Sequence, residues 1–345
     1  MSEVIILDSG NETIKSVRWD GSEDKFTHAL IELSSADLRS IRSSHRGELP
    51  DGYAVVNDKF YAYGEIAERY GDVIRRQRAS KFTKDYYGVI AAIALSRQYE
   101  QSGTYSLFGS HAPGDVEYRD ELMASAMGNW TVEFGAKISA YKINYCNTFD
   151  EPLGGLYNLL LTKDGTQYQR PEVGDGRTLM FDVGGGTTSL LGTSLDGTID
   201  HSLRLSVSLG IINVIASFET LFRETHRKEL QDVDTLPISR VREAIRTGVL
   251  KLRGKDIPCE EIVVQAVNLL LNPVMDLYRT KTRGGSDFDT IGLTGGGMEI
   301  INARLTPKLG HNYVLLAEKL GFLEWANVRG GLKYWKLLKS ESLVD

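Results

Sequence analysis

The segment TLMFDVGGGTTSLLGTSLDGTI, residues Thr178 to Ile199, guides the interpretation of the whole chain. Its first apolar run leads into Asp182, and the turn that follows contains Gly184, Gly185, Gly186 and Thr187. The pattern predicts a strand, a tight glycine turn and a second strand, with Asp196-Gly197 as a further hairpin turn. Glycine reaches positive φ without strain and lets backbone N–H groups approach an anion. The turn is therefore a candidate phosphate cradle, although an ordinary mobile turn is an equally simple reading of three glycines.

The same layout occurs near the N-terminus, in VIILDSGNETIKSVRW at residues 4–19. There Asp8 follows an apolar run, Gly10 comes two residues later and Thr13 five residues later, the offsets that Gly184 and Thr187 have from Asp182. The two copies are 174 residues apart in a chain of 345. A duplication at about half the chain length predicts two similar halves that face one ligand.

A third glycine turn occurs in IGLTGGGMEIINARL, residues 291–305. An apolar strand run precedes the turn, and a helix is expected from Met298 onward. The N-terminus of that helix would offer amide donors and the positive end of the helix dipole to a polar ligand. Two commoner nucleotide-binding motifs do not fit. The chain has no G-x-x-x-x-G-K-[ST], which argues against a Walker P-loop. The turn after Asp182 is expected to lead into a strand, whereas a Rossmann dinucleotide-binding turn leads into a helix. The serine-hydrolase motif G-x-S-x-G is missing as well.

Composition narrows the class of protein. A length of 345 residues suggests about two domains. The net charge of −6 gives no global electrostatic reason to bind nucleic acid or an anionic membrane. Two cysteines outside any C-x-x-C pair indicate neither a disulfide framework nor a zinc site. Each of the six histidines is expected to be a surface or core residue and not a metal ligand. The longest apolar run, Val89 to Leu95, is far below the ~18 residues of a membrane span, so a cytoplasmic protein is expected.

The segment FDEPLGGLYNLLLT begins at Phe149 and combines an acidic residue with a glycine pair. Pro152 favours an extended or turn backbone at Glu151, and Gly154-Gly155 precede an apolar helix expected over residues 156–161. The acid is either a helix cap or a functional carboxylate, and the glycine pair suits a hinge. Further helices are expected over residues 210–226, 237–252, 258–278, 313–320 and 333–339.

Taken in order, five segments resemble the actin, sugar-kinase and heat-shock chaperone ATPase superfamily over nearly the whole chain. They are VIILDSGNETIK and LMFDVGGGTTSLL as two phosphate loops, DEPLGGLY and NVRGGLKY as two inter-domain connections, and IGLTGGGMEII as an adenosine loop. Within the superfamily, YAYGEIA, KFTKDYYGVIAAIAL, SLGIINVI and ANVRGG are similar to bacterial and archaeal actin-like proteins of the plasmid-segregation ParM (StbA) type.

This resemblance implies an α/β, actin-like (ribonuclease H-like) duplicated fold with two domains around a central nucleotide cleft. The first domain would span residues 1–163, with an insertion subdomain at about 34–80, and residues 326–345 would return to it. The second domain would span residues 164–325, with a helical subdomain at about 212–275.

The resemblance also implies a site for ATP, or GTP, with Mg²⁺. Asp8 and Asp182 would hold the hydrated metal through water, and Glu151 would orient or activate the attacking water, so that Glu151 and Asp182 are the expected catalytic residues. The phosphates would be bound by Ser9, Gly10, Asn11, Lys15, Gly184, Gly185, Gly186 and Thr187. The nucleoside would be lined by Gly295, Gly296, Gly297 and Met298, with Arg242 and Glu243 expected at the base or ribose.

The implied activity is nucleotide-dependent polymerisation coupled to ATP hydrolysis, for plasmid or DNA segregation or similar positioning. Subunits would assemble head to tail, and the domains would close about Gly154-Gly155 and Gly330-Gly331. An adaptor or centromere-binding protein is the expected partner, with no direct nucleic acid and no membrane. The alternative is a small-molecule kinase of the same superfamily, whereas a chaperone-like module would need a peptide-binding domain that the chain lacks.

Overall fold

The computed structural model describes residues 3–70, 83–195, 198–230, 236–311 and 313–341. The chain forms two compact units, Met1–Gln167 with Asn327–Asp345, and Tyr168–Ala326. The sequence analysis placed the corresponding boundaries after residues 163 and 325. The expected turn at Asp196-Gly197 lies outside the described residues, as do parts of both expected subdomains. Within the described ranges, no helix has the length and apolarity that a membrane span requires.

Unit 1 is built on one nine-stranded mixed sheet, in the order β3-β2-β1-β7-β9-β8-β5-β6-β4. Strands β1, β7 and β9 are parallel neighbours, and β2 and β3 extend the sheet antiparallel to β1. The strands β5 and β6 of the expected insertion subdomain, together with β4 just before it, continue this sheet through β8. The strands are Glu3–Ser9 (β1), Thr13–Arg18 (β2), Glu23–Thr27 (β3), Leu30–Leu33 (β4), Tyr53–Val56 (β5), Lys59–Tyr63 (β6), Gly103–His111 (β7), Gly128–Phe134 (β8) and Lys137–Asp150 (β9).

Helices cover the centre of this sheet, and the sequence reflects their burial. The run from Val4 to Leu7 in β1 is fully buried, as expected of a central strand covered on both faces. The apolar helix Val89–Gln98 buries eight of its ten residues against the sheet and follows a π-helical turn at Lys84–Gly88. The other helices in the described part of unit 1 are Ser35–Ser44, Gly64–Glu68, Arg119–Ala126 after the 3₁₀ turn Pro113–Tyr118, Glu151–Leu160 and Ala326–Ser340.

Two expectations about glycine-rich connections were wrong. The helix expected from Leu156 begins at Glu151, so Gly154 and Gly155 lie inside it, and the junction and tail helix expected near the C-terminus form the single helix Ala326–Ser340. A Cβ added at Gly330 would lie 1.6 Å from the carbonyl oxygen of Gly154. These glycines therefore let two helices of unit 1 pack backbone against backbone, where the sequence suggested loops.

Unit 2 contains a five-stranded sheet in the order β12-β11-β10-β15-β16 and a separate hairpin of β13 and β14. Its strands are Thr178–Val183 (β10), Thr188–Thr193 (β11), Ile199–Val207 (β12), Val249–Leu252 (β13), Lys255–Pro258 (β14), Thr290–Thr294 (β15) and Val314–Leu316 (β16). Over the residues of unit 2 that the structure describes, the helices are Pro171–Gly174, Ile211–Thr225, Ile238–Thr247, Glu260–Thr282 and Met298–Leu309, with 3₁₀ turns at Arg283–Gly285 and Leu323–Trp325.

Unit 2 corrects two further expectations. The helix expected over residues 237–252 ends at Thr247, because Gly248 adopts a left-handed conformation and the chain then forms the β13–β14 hairpin. The helix expected over residues 313–320 is instead the short strand β16, which pairs in parallel with β15. The long helix Glu260–Thr282 forms as expected and contains Pro273.

The two sheets share one arrangement of five strands. In unit 1 the order β3-β2-β1-β7-β9, and in unit 2 the order β12-β11-β10-β15-β16, both combine an antiparallel meander with two parallel strands. Asp8 pairs with Lys15 across the first hairpin, and Asp182 pairs with Ser189 across the second. The duplication predicted from the two Asp-x-Gly turns is therefore present in the fold.

Candidate functional site

Asp8 lies at the carboxyl end of β1, where it is only 3% exposed. Lys15 is directly opposite on β2, and its Nζ lies 2.7 Å from Asp8 Oδ2 in a buried ion pair. Ser110 at the end of β7 donates its hydroxyl to Asp8 Oδ1 at 3.0 Å. Asp8 and Lys15, which were predicted separately for the metal and the phosphates, are thus brought together, and both oxygens of the Asp8 carboxylate accept a hydrogen bond from unit 1.

The parallel strands β1, β7 and β9 end at the same edge of the sheet, which gathers polar residues there. His111 pairs in register with Asp150, and its Nδ1 lies 3.5 Å from Asp150 Oδ1 and 3.0 Å from the Ala112 carbonyl oxygen. Glu151, half-buried, follows as the first residue of its helix. Ser110, His111 and Asp150 were not predicted as site residues. Their position directly after apolar strand runs was the available signal.

The turn after Asp8 is held by a residue that the motif does not contain. The carbonyl oxygen of Gly10 faces Nδ1 of His28 at hydrogen-bond distance, so that ring nitrogen carries the proton. Ser9 is buried and pairs with Ile14 across the hairpin, whereas Asn11 is exposed at the tip of the turn. The first predicted phosphate loop therefore has a fixed backbone and one exposed polar side chain.

In unit 2, the turn after Asp182 is closed by a hydrogen bond from the Gly184 N–H to the Thr187 carbonyl oxygen at 2.8 Å. Two amides at the start of the helix Ile211–Thr225 hold the same turn from outside: the Ile211 N–H donates to Gly184 at 3.1 Å and the Ile212 N–H to Gly185 at 2.9 Å. These helix amides are used to fix the loop, a contact that sequence analysis did not predict.

Gly295 brings the second and third glycine turns together. Its φ is +94°, and a Cβ at this position would lie 2.2 Å from Asp182 Oδ1 and 2.5 Å from the Val183 carbonyl oxygen. Only glycine fits both the conformation and the space. The buried Asp182 carboxylate consequently lies against the backbone of the predicted nucleoside loop.

Some of the backbone N–H groups that were expected to face a ligand from that loop already donate to carbonyl oxygens of unit 2. The Gly297 N–H donates to the Val183 carbonyl oxygen at 2.7 Å, and the Met298 N–H to Gly295 at 3.1 Å. The carboxylate of Glu299 accepts from the N–H groups of Gly321 and Leu323, each at 2.7 Å. The loop is therefore braced by unit 2 itself, and fewer amides face a ligand than the sequence suggested.

Arg242 and Glu243 lie on the helix Ile238–Thr247. The exposed Glu243 carboxylate binds Arg246 of the same helix at 2.6 Å, and this bond lowers the pKa of Glu243. Arg242 is half-buried. The place of Arg242 and Glu243 at the base or ribose stays a prediction.

The carboxylates present suit a Mg²⁺ ion that is bound together with the phosphates of a ligand. In the described part of the chain, no group of three or more His, Cys, Asp or Glu residues is arranged to hold a metal ion. Mg²⁺ usually retains several waters and is bound through one or two carboxylates together with substrate phosphates. Single carboxylates such as Asp8 and Asp182, each beside a glycine turn, suit that mode and would not form a metal cage on their own.

No protein-family model and no curated protein sequence matches the chain significantly, whereas many solved structures share its fold. The archaeal actin homologue Ta0583 matches at 18% identity with a TM-score of 0.74, covering 96% of this chain and 98% of that one. Its complex with ADP matches at 18% identity and 0.71, covering 96% and 99%. A ParM from a 15-stranded filament of Clostridium botulinum matches at 17% identity and 0.67, covering 97% and 99%. The chain therefore has the actin-like α/β fold, as predicted.

Proposed function

We propose that the chain is an actin-like ATPase whose subunits assemble head to tail into filaments when nucleotide is bound. The observation that carries this proposal is the repeated Asp-x-Gly turn at the same position of the five-strand arrangement in both units. The full-length likeness to a homologue crystallised with ADP and to a ParM filament subunit supports it. The proposal includes a role in plasmid or DNA segregation, through an adaptor or centromere-binding protein in the cytoplasm.

Each unit contributes one turn to the phosphates. We assign the backbone contacts to Gly185, Gly186 and Thr187, because the Gly184 N–H closes its own turn. Ser9, Gly10 and Asn11 would serve from the other turn. Lys15 is already paired with Asp8, so the same ammonium can neutralise the carboxylate before a phosphate arrives and the phosphate afterwards.

Asp8 and Asp182 would hold Mg²⁺ through water, and the metal when bound neutralises phosphate charge. The Asp8 oxygens already accept from Lys15 and Ser110, which favours water-mediated over direct ligation. Glu151 would accept a proton from the attacking water, which an ordinary ionised glutamate can do at neutral pH. Gly295, Gly296, Gly297 and Met298 would contact the nucleoside of ATP or GTP, with Arg242 and Glu243 at the base or ribose.

Purified protein mixed with Mg-ATP or Mg-GTP tests the proposal by light scattering, pelleting and phosphate release in parallel. We expect polymer above a critical concentration, followed by phosphate release. No polymer over a wide concentration range would contradict the filament proposal. The small-molecule kinase alternative predicts a phosphorylated acceptor in place of free phosphate, and the full-length likeness to actin homologues disfavours it.

A further inference from the structure

The strand β7 ends in two consecutive buried polar residues that contact different acidic residues of the proposed site. The Ser110 hydroxyl donates to Asp8, and the His111 ring faces Asp150, the residue before Glu151. We propose that His111 is a positioning residue: through Asp150 it fixes the point at which β9 becomes the helix carrying Glu151, and so the direction of the Glu151 carboxylate. The catalytic part of this inference rests on the proposed function.

The first observation concerns the position of Asp150. It is the residue that precedes the helix Glu151–Leu160 and has the extended backbone of a helix cap, with φ −69° and ψ 134°. An aspartate there normally accepts an amide of the second or third helical residue. Asp150 makes no such bond, and Pro152 at the second position has no N–H to offer. The Asp150 carboxylate is instead directed toward β7.

The second observation concerns the protonation of His111. Its Nδ1 lies near two acceptors, the Ala112 carbonyl oxygen at 3.0 Å and Asp150 Oδ1 at 3.5 Å. Nδ1 must therefore carry the proton, in the neutral or the charged form of the ring. Both side chains are at most 3% exposed, and such an interaction is stronger away from water than at the surface. The pair thus ties the end of β9 to the end of β7 from a side chain that the reaction itself does not need.

This geometry predicts a loss of turnover without a matching loss of affinity. A displacement of about 1 Å at a reacting group can cost about 100-fold in rate. Replacing His111 with leucine removes the donor, so we expect kcat for phosphate release to fall by about 10-fold to 100-fold, with KM within about twofold of wild type. His111→Asn places an amide N–H close to the position of Nδ1 and should recover most of the rate.

Two further variants separate this role from a general packing effect. If His111 acts through Asp150, adding Asp150→Asn to His111→Leu should produce little additional loss, because the two changes break one interaction. His45→Leu is the matched control. The exposed His45 also places its Nδ1 near a backbone carbonyl oxygen, that of Ile41, but at the end of the helix Ser35–Ser44 and not beside the helix that carries Glu151. We expect this control to behave as wild type.

A measurement without nucleotide tests the positioning directly. Amide hydrogen exchange over residues 149–156 should be faster in His111→Leu than in wild type or in His111→Asn. Equal exchange in all three, or a kcat of His111→Leu within twofold of wild type, overturns the inference. If His111→Leu does not fold, His111→Gln replaces it, because its amide lies farther from Nδ1, and equal rates for the Gln and Asn variants overturn the inference. A wild-type protein that releases no phosphate contradicts the proposed function, and hydrogen exchange then decides the positioning alone.

Discussion

The close approach of Gly154 and Gly330 gives the sharpest prediction, because steric overlap and helix propensity predict opposite changes in stability for Gly330→Ala. A Cβ at Gly330 would lie 1.6 Å from the Gly154 carbonyl oxygen, and a real Cβ is essentially never closer than 3.0 Å to such an atom. In Gly330→Ala the two helices must therefore separate locally by at least 1.4 Å. Helix propensity alone predicts the opposite outcome, since alanine is more favourable than glycine in a helix interior by about 1 kcal/mol.

The cost can be worked out from what the helix Ala326–Ser340 buries. Val328, Leu332 and Trp335 are between 0% and 6% exposed, and each contributes about 2 kcal/mol by burial. A gap of 0.5–1 Å forfeits about a quarter to a half of a dispersion contact. Because the separation is larger than 1 Å, the loss over three side chains is at least about 1.5–3 kcal/mol. This loss exceeds the propensity gain of about 1 kcal/mol and leaves a net destabilisation of about 0.5–2 kcal/mol or more.

Urea unfolding of the full chain, followed by tryptophan fluorescence to which the buried Trp335 contributes, measures this difference. For a domain of this size the expected change corresponds to a lower melting temperature by about 1–8 °C. Gly154→Ala should also destabilise, because its Cβ would lie 2.3 Å from the Asn327 carbonyl oxygen, and the double variant should lose less than the sum of the two. A Gly330→Ala protein that is as stable as wild type, or more stable, would refute the close approach of the two helices.

The remaining predictions concern the proposed site. Glu151→Ala should bind nucleotide and assemble but release phosphate at least about 100-fold more slowly, because the proton acceptor is lost, and normal turnover would contradict its assignment. Asp182→Ala should weaken Mg-nucleotide binding in a titration with a fluorescent analogue, and unchanged affinity would count against the metal role. Lys15→Met should destabilise unit 1 by about 3 kcal/mol in urea unfolding, because it leaves the buried Asp8 carboxylate without its ion-pair partner, and adding Asp8→Asn should recover part of that loss. A Lys15→Met protein of wild-type stability would show that the pair contributes nothing.

Local sequence patterns predicted the features that depend on neighbouring residues. The Asp-x-Gly turns after Asp8 and Asp182, the strands beside them and the helix Ile211–Thr225 follow from apolar periodicity and turn chemistry. The helix predicted over residues 237–252 ends at Thr247, before Gly248, and the prediction is too long because the apolar pattern continues into β13. Gly248 indicated the end of the helix, but the apolar periodicity beyond it favoured a longer helix.

Tertiary contacts decided the rest, and no local pattern contains them. Gly154-Gly155 disfavour a helix by propensity, yet they lie inside one because another helix packs on the backbone there. The segment Val314–Leu316 is a strand because β15 offers it a parallel edge. Ser110 and His111 become neighbours of Asp8 and Asp150 only through the register of three parallel strands, so a reading of each histidine by itself could not identify His111.

The duplication also conceals a chemical difference between the two halves. The residue opposite Asp8 is Lys15, whereas the residue opposite Asp182 is Ser189. In unit 1 the carboxylate is therefore balanced by a buried cation, and in unit 2 it lies against the backbone of Gly295. The sequence repeat predicts where the two carboxylates lie in their sheets. The residue seven positions later differs, so the hairpin of unit 1 places a positive side chain beside its carboxylate, whereas the turn of unit 2 has a backbone that is fixed from two sides.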